Sequence, residues 1–474
     1  MRKIIFLLII SLQILLLNIS QFVAWPEMLY EPYLINNGFI IYKNITIAHA
    51  PLLLFLLQVF FKIFANPVLA IKSFTLFLTI FTGWLTYFVC LRIFKKEKAA
   101  IVTWIFYIFL HFYFEGNGIW FDHLVALFSL VSFYFFYKFL LTPGVNKKTP
   151  GVYVFSSGLF LGLASISKQT AGWLIIPAFL YLLYHLLREK KLFKTIKFGL
   201  IFSIGCLIPW ILVAGWLVYK NALADFWFWA FKFGINVLPK AAGQIKLPTV
   251  KQLIGASLPF LIIIPYSSQA CRIFSGLACK KQVLEKKILI VLWCIFSAFG
   301  VYPRFERFHF QPALPLLAMI WVSSFFSKKN RVYAFLLFLI FVPFWLRSFS
   351  NTFNKPDRFL EGDVQAAVSW LVENTKKDQR IYVFNTWDHF YALADRLPAV
   401  DPVPPTLEWY LELPGLQEKL ISGLKKVKSP IIIMEDYKKE GLGAYRPERL
   451  DNYIRESFTQ KTVITERFII LEKK

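Results

Sequence analysis

Between residues 24 and 51 the chain reads AWPEMLYEPYLINNGFIIYKNITIAHAP, a short polar stretch directly after an apolar run. It carries the acids Glu27 and Glu31, then Tyr42, Lys43 and Asn44, then His49 and Pro51. Carboxylates kept beside a bilayer mark candidate chemistry, because their surroundings set their protonation state. A carboxylate so placed takes a proton from a hydroxyl group as a general base. Further polar segments interrupt the apolar sequence: EGNGIWFDH with Glu115, Asp122 and His123; SISKQ with Lys168; and PRFERFHF with Arg304, Glu306, Arg307 and His309. Lys and forked Arg side chains of this kind hold phosphate. Together the set suits transfer of a sugar from a lipid-borne phosphate to a hydroxyl acceptor. Glu27 would be the base and Asp122 would orient the acceptor or assist. Lys168, Arg304 and Arg307 would hold the phosphate, and Glu31, Tyr42, His49, His123 and His309 would line the substrate. A divalent metal is a possible cofactor, with Glu27, Asp122 and a histidine as candidate ligands, although no ligand spacing points to one.

The same residues have plainer readings. Glu27 and Glu31, four apart, can share the wet face of an interfacial helix. Asp122 can cap the helix it begins, and Lys168 can snorkel to the headgroups. Trp227 and Trp229 suit an interfacial aromatic belt. Asp388 and His389, in TWDHF, have no Ser or Cys elbow beside them and are expected at the surface.

The elements that must position these residues are membrane helices. The chain has 474 residues, is 57% hydrophobic and only 17% charged, which excludes an ordinary soluble enzyme. The net charge of +25 would suit nucleic acid, but the positive residues cluster in short loops between apolar runs, as topology signals do. Nucleic acid is therefore not an expected partner; membrane lipids are. Crossing about 30 Å of hydrocarbon takes about 20 residues. By that measure the chain has about eleven spans, near 4–23, 67–91, 99–114, 120–141, 152–167, 170–187, 196–218, 251–270, 288–302, 312–327 and 332–350. The run at 51–65 is short, carries Lys62 and reads as an interfacial helix. Threaded this way, every basic loop, including those with Lys147, Lys148, Lys190, Lys191, Arg272 and Lys280, falls on one side. The N-terminus is then cytoplasmic, and the polar segments with the candidate residues face outward. MRKIIFLLIISLQILLL also resembles a signal peptide, but no small-residue cleavage site follows, so it is expected to remain as the first span. The five cysteines form no paired motif, and Cys271 and Cys279 are expected as free thiols on the reducing side.

From residue 351 the composition turns polar. Helical periodicity at about 361–375, 415–426 and 447–457 alternates with strand-like runs RIYVF and PIIIM and a final β pair near 461–472. The expected architecture is a polytopic α-helical membrane protein with interfacial helices, a catalytic membrane domain over 1–350, and an extracytoplasmic α/β domain over 351–474.

The order of motifs resembles the GT-C superfamily of membrane glycosyltransferases, in the branch of protein O-mannosyltransferases and the lipid A aminoarabinose transferase. That branch has an acid in its first outer loop, a G-x-x-x-Y segment and a Pro-Pro-Leu-like helix entry. Here these correspond to Glu27 in WPEM, Gly38 and Tyr42 in GFIIYKN, and His49, Pro51 and Leu52 in HAPL. The second-loop acid corresponds to Asp122 in WFDH, the cation after a small-residue span to Lys168 in LASISKQ, and the basic aromatic segment to RFERFHFQPALP. The chain departs in having a lone Glu27 where an acidic pair headed by Asp is usual, and Asn44 where Asp commonly follows the Tyr. The resemblance implies a polyprenyl-phosphate sugar donor, inversion at the anomeric carbon, a glycan, lipid or protein acceptor, and a bacterial plasma membrane. A lipid-linked glycan flippase or a surface-polysaccharide polymerase or ligase are the alternatives.

Overall fold

The computed structural model describes residues 2–141, 149–189, 192–241, 244–267, 281–439 and 443–474. Cys271, Cys279, Lys147, Lys148, Lys190, Lys191, Arg272 and Lys280 lie outside the described residues. Eight described helices are long and apolar enough to cross a membrane: Arg2–Ile19, Pro67–Phe94, Phe121–Leu140, Pro150–Ser167, Leu192–Tyr219, Val250–Ser267, Arg307–Phe325 and Arg331–Ser350. The remaining expected spans fall on the shorter helices Glu97–Tyr113, Gln169–Tyr184 and Lys287–Val301, and the interfacial run on Leu52–Ile63. The protein is a multi-pass integral membrane protein.

The chain divides into two compact, discontinuous units. The first comprises Met1–Gln21, Thr75–Gly215 and Ile245–Lys355. The second comprises Phe22–Phe74, Trp216–Gln244 and Pro356–Lys474. The composition change at 351 lies close to the boundary at 356, but the second unit also draws in the first polar loop and the segment after Leu192–Tyr219.

In the first unit, helix α1 (Phe121–Leu141) packs along α2 (Thr149–Ser167). Ser132 Oγ donates to the Ser157 carbonyl (2.8 Å) and Ser157 Oγ to the Ser132 carbonyl (2.9 Å). Such reciprocal bonds satisfy hydroxyls that lipid cannot. On its other side α2 meets Leu192–Tyr219 almost backbone to backbone. A Cβ on Gly158 would collide with the Phe202 carbonyl, and one on Gly205 with the Phe155 carbonyl. Small residues permit this approach where no hydrophobic driving force holds helices together. The helix Arg307–Phe325 is central, 83% buried, whereas Arg331–Ser350 is 17% buried and presents its apolar side chains outward, as a lipid-facing helix does.

In the second unit, helix α3 (Pro26–Asn36) opens with Pro26 at its first turn, where the missing N–H costs nothing. It closes on Gly38, whose φ of +88° lets the chain reverse. Tyr42 also has a left-handed backbone, with φ of 70°, and its buried hydroxyl donates to the His49 carbonyl (2.8 Å). The G-x-x-x-Y segment is thus a folded turn tied to the entry of Leu52–Ile63. The C-terminal region forms a four-stranded sheet in the order β1-β2-β4-β3, with β1 Ile381–Phe384, β2 Ile431–Glu435, β3 Phe458–Ile464 and β4 Phe468–Lys473. β1 and β2 are parallel, and the other pairs antiparallel. Leu420 and Leu424 from Leu416–Lys426 and Leu450 and Ile454 from Glu448–Ser457 pack with Tyr382, Ile432 and Phe458.

The first loop is stitched to this C-terminal region at both ends. Near its start, Arg358 N donates to the Phe22 carbonyl (2.8 Å), and Lys72 pairs with Asp357 (2.5 Å). Near its end, Val403 N donates to the Asn44 carbonyl (2.7 Å), and Asn44 Nδ2 to both Asp401 oxygens (2.9 and 3.0 Å). The Asn44 that stands where the resembling family commonly has Asp is therefore engaged with an acid of the C-terminal region; a second carboxylate there would be repelled.

Candidate functional site

The candidate residues gather in two clusters, one in each unit. In the first unit Asp122 sits in the first turn of α1, where the exposed amides of the helix start favour negative charge. Lys168 stands where α2 ends and a 3-10 turn, Gln169–Leu174, begins. His309 lies in a second 3-10 turn, Arg307–Ala313, at the head of a central helix. These turns converge on one carboxylate oxygen. Lys168 Nζ donates to Asp122 Oδ2 (2.7 Å), His309 Nδ1 lies 2.8 Å from the same oxygen, and Lys168 Nζ and His309 Nδ1 are 2.9 Å apart. All three residues are buried. A protonated Lys168, an ionised Asp122 and a neutral His309 with its proton on Nδ1 give each short contact to oxygen a donor. Lys168 is expected from sequence at the tip of a hairpin, and Asp122 as an orienting acid. The structure joins them as an ion pair.

Beside this triplet, His123 is buried with its Nδ1 against Trp120 (3.2 Å), and its Nε2 has no hydrogen-bond partner among the described residues. Its ring meets His111 edge to face, centroids 5.3 Å apart. His111 Nδ1 bonds Gln311 Oε1 (2.8 Å), and Gln311 Nε2 donates to the Phe114 carbonyl (2.8 Å). Neither His111 nor Gln311 is singled out by the sequence, because His111 reads as a lone polar residue within an apolar run and Gln311 as the neutral end of the basic aromatic segment. Arg307 lies over the Tyr113 ring (5.4 Å). Arg304 is exposed and lies 3.6 Å from Glu306, which also pairs with Lys246 (2.8 Å). The basic segment thus keeps two arginines at the edge of the buried triplet's own turn.

In the second unit Glu27 and Glu31 share one face of α3, one turn apart. Glu27 is half-buried and Glu31 is 3% exposed. Glu31 Oε2 and the neighbouring Tyr30 hydroxyl have no hydrogen-bond partner among the described residues. Burial, and then the charges of Glu27 and Asp388, push the Glu31 carboxyl well above its ordinary range. Asp388 and His389, expected at the surface, are 4% and 2% exposed. The reason is that α3 covers the short helix Phe390–Leu393 that follows them. Burial, and then Glu27, push the Asp388 carboxyl well above its ordinary range as well. His49 is half-buried and Tyr42 is spent within the loop turn. Among the described residues there is no group of three or more His, Cys, Asp or Glu side chains able to hold a metal ion.

The two clusters stand in a fold shared with solved membrane proteins, and part of the sequence matches a known family model. Residues 48–216 match the family model described as dolichyl-phosphate-mannose-protein mannosyltransferase. This segment contains His49, Asp122, His123 and Lys168 but begins after Glu27, Glu31 and Tyr42. Among solved structures, the fold is similar to that of ArnT from Cupriavidus metallidurans bound to undecaprenyl phosphate, with a TM-score of 0.63 and 12% identity over 98% of this chain and 97% of that one. It is also similar to the archaeal oligosaccharyltransferase AglB from Archaeoglobus fulgidus in complex with an inhibitory peptide and a dolichol-phosphate, with a TM-score of 0.55 and 13% identity over 91% of this chain and 69% of that one. An uncharacterized protein of Aquifex aeolicus is 24% identical over 349 residues; the match spans 61% of this chain and 66% of that relative, just under two thirds of its length.

Proposed function

We propose that the protein is an inverting glycosyltransferase that moves a sugar from a polyprenyl-phosphate donor to an acceptor on the outer face of a bacterial plasma membrane, with its N-terminus cytoplasmic and its C-terminal domain outside. The observation that carries this reading is the first-loop acid pair on α3, half-buried Glu27 beside buried Glu31, in a GT-C fold. The similar ArnT structure is bound to undecaprenyl phosphate and the AglB structure is in complex with a dolichol-phosphate, which supports a lipid-phosphate carrier here.

In the proposed reaction Glu27 takes the proton of the acceptor hydroxyl. The hydroxyl oxygen bonds to the anomeric carbon, the bond from that carbon to the phosphate oxygen breaks, and the lipid phosphate leaves with the electron pair. A single displacement of this kind inverts the anomeric centre. Arg304 and Arg307 stabilise the departing phosphate. Lys168, held by Asp122, contributes a donor hydrogen that Asp122 leaves free. Asp122 acts mainly by holding Lys168, and Glu31, Tyr42, His49, His123 and His309 shape the substrate surface. The acceptor is a glycan, a lipid or a protein.

The test is incubation of the purified protein with radiolabelled polyprenyl-phosphate sugars and a panel of acceptors. Glu27→Gln is expected to lower transfer by at least about a hundredfold while expression and the monodisperse elution profile stay as in the wild type. Near-normal turnover in that variant would rule out Glu27 as the base. Movement of labelled lipid between leaflets with no glycosylated product would point to a transporter instead.

A further inference from the structure

Helix Glu97–Tyr113 ends on a buried tyrosine that meets Arg307. The Arg307 guanidinium lies over the Tyr113 ring, 5.4 Å from its centroid, where a cation is drawn to an aromatic face. The ring is itself fixed from several sides. Its hydroxyl donates to the Gly255 carbonyl (2.7 Å), and Phe341 meets it edge to face, centroids 4.8 Å apart. Phe341 and Ser348 stand about two turns apart on one face of Arg331–Ser350. Ser348 Oγ in turn accepts from Arg307 Nη1 at 3.5 Å, the limit of a hydrogen bond. A Cβ on Gly255 would lie 3.4 Å from the Tyr113 hydroxyl and 3.7 Å from Arg307 Nη2, so the bare backbone there fits against both groups. All these residues belong to the first unit.

This surround holds no acid among the described residues. Arg304, in the same segment, lies 3.6 Å from Glu306, and Lys246 pairs with that glutamate at 2.8 Å, whereas Arg307 forms no ion pair among the described residues. Arg307 is half-buried, and its guanidinium stays charged at any working pH. A carboxylate would hold it by occupying N–H donors; a ring face attracts it and occupies none. We propose that Tyr113 is a positioning residue for the lipid phosphate, whose ring holds Arg307 in place and leaves the guanidinium fork to phosphate oxygens. An unheld arginine would surrender its side-chain freedom on meeting the phosphate, and the contact with Tyr113 removes part of that loss beforehand. The role given to Tyr113 rests on the reading of Arg307 as a phosphate-holding residue and is independent of whether Glu27 is the base.

The test is binding of undecaprenyl phosphate to the full-length protein in detergent, followed by native mass spectrometry with undecaprenol as reference, so that the preference between the two lipids isolates the phosphate. Arg307→Ala is expected to remove most of that preference. Tyr113→Leu is expected to weaken it about tenfold, and Tyr113→Phe, which keeps the ring and gives up the Gly255 bond, to retain most of it. Phenylalanines with one, two and three ring fluorines at position 113 weaken the negative ring face at nearly constant size. The preference is expected to fall stepwise along that series, and to stay flat along the same series in Arg307→Ala. A preference that ring fluorination leaves unchanged, or a fall that persists without Arg307, overturns the role of Tyr113, and does so even where Tyr113→Leu fails to fold. A wild type with no preference, or an Arg307→Ala protein that keeps it in full, instead removes Arg307 from the phosphate site and the role of Tyr113 with it.

Discussion

A lysine ammonium buried among membrane helices is costly alone, and Lys168 is not alone. Asp122 Oδ2 at 2.7 Å offsets its desolvation. Removing one member leaves the other charge uncompensated. Lys168→Ala and Asp122→Ala are each expected to destabilise the protein by about 3 kcal/mol, read as a lowered melting midpoint in detergent. Lys168→Leu combined with Asp122→Leu should recover most of that loss without restoring transfer. At this scale the sequence was informative about type and order: Asp122, Lys168 and His309 are recognisable because polar residues stand out in an apolar chain. It was uninformative about burial. Asp388 and His389 look like surface residues because the helix that covers them, α3, lies hundreds of positions earlier in the chain.

At the scale of elements, the turn from α3 into Leu52–Ile63 depends on backbone shape. Gly38 has φ of +88° and open space where a Cβ would point, so Gly38→Ala meets no steric collision. Its expected cost, about 1 kcal/mol, is that of placing an L-residue in the left-handed region, measurable as a small drop in melting midpoint. Gly158→Leu presents the opposite case: the backbone position is ordinary but the Phe202 carbonyl occupies the space, so the helices must separate. A loss of folded, monodisperse protein is expected. Periodicity and length located the membrane helices, and in the tail β1 and β2 lie within a residue of the strand-like runs. What periodicity could not provide was the pairing. The order β1-β2-β4-β3, with one parallel pair, is set by packing of Leu416–Lys426 and Glu448–Ser457 on the sheet, and short apolar strands carry no mark of their neighbours. The 3-10 turns that carry Lys168 and His309 to Asp122 were likewise unreadable, since proline and aromatic residues suit several loop shapes.

At the scale of the molecule, the C-terminal region has its own ionic anchor. Asp451 is buried and accepts from Tyr437 (2.8 Å), Arg446 (2.5 Å) and Arg455 (2.7 Å). Burial alone would raise its carboxyl, but these donors outweigh it and hold it below the ordinary aspartate range. The unfolded chain therefore takes up this proton at a higher pH than the folded one. The stabilisation is fully present above the ordinary aspartate value of about 3.9 and is lost as pH falls through the lower folded value. Asp451→Asn is expected to cost about 2 kcal/mol at neutral pH and to flatten the acid side of a stability profile followed by circular dichroism.

The seams at Phe22–Arg358 and Asn44–Val403 have a consequence for anyone recombining this protein with a relative. An exchange of residues 356–474 alone would graft a foreign edge onto the native loop, with Asn44 and Asp401 no longer matched. The transferable cassette is instead the three segments 22–74, 216–244 and 356–474, moved together.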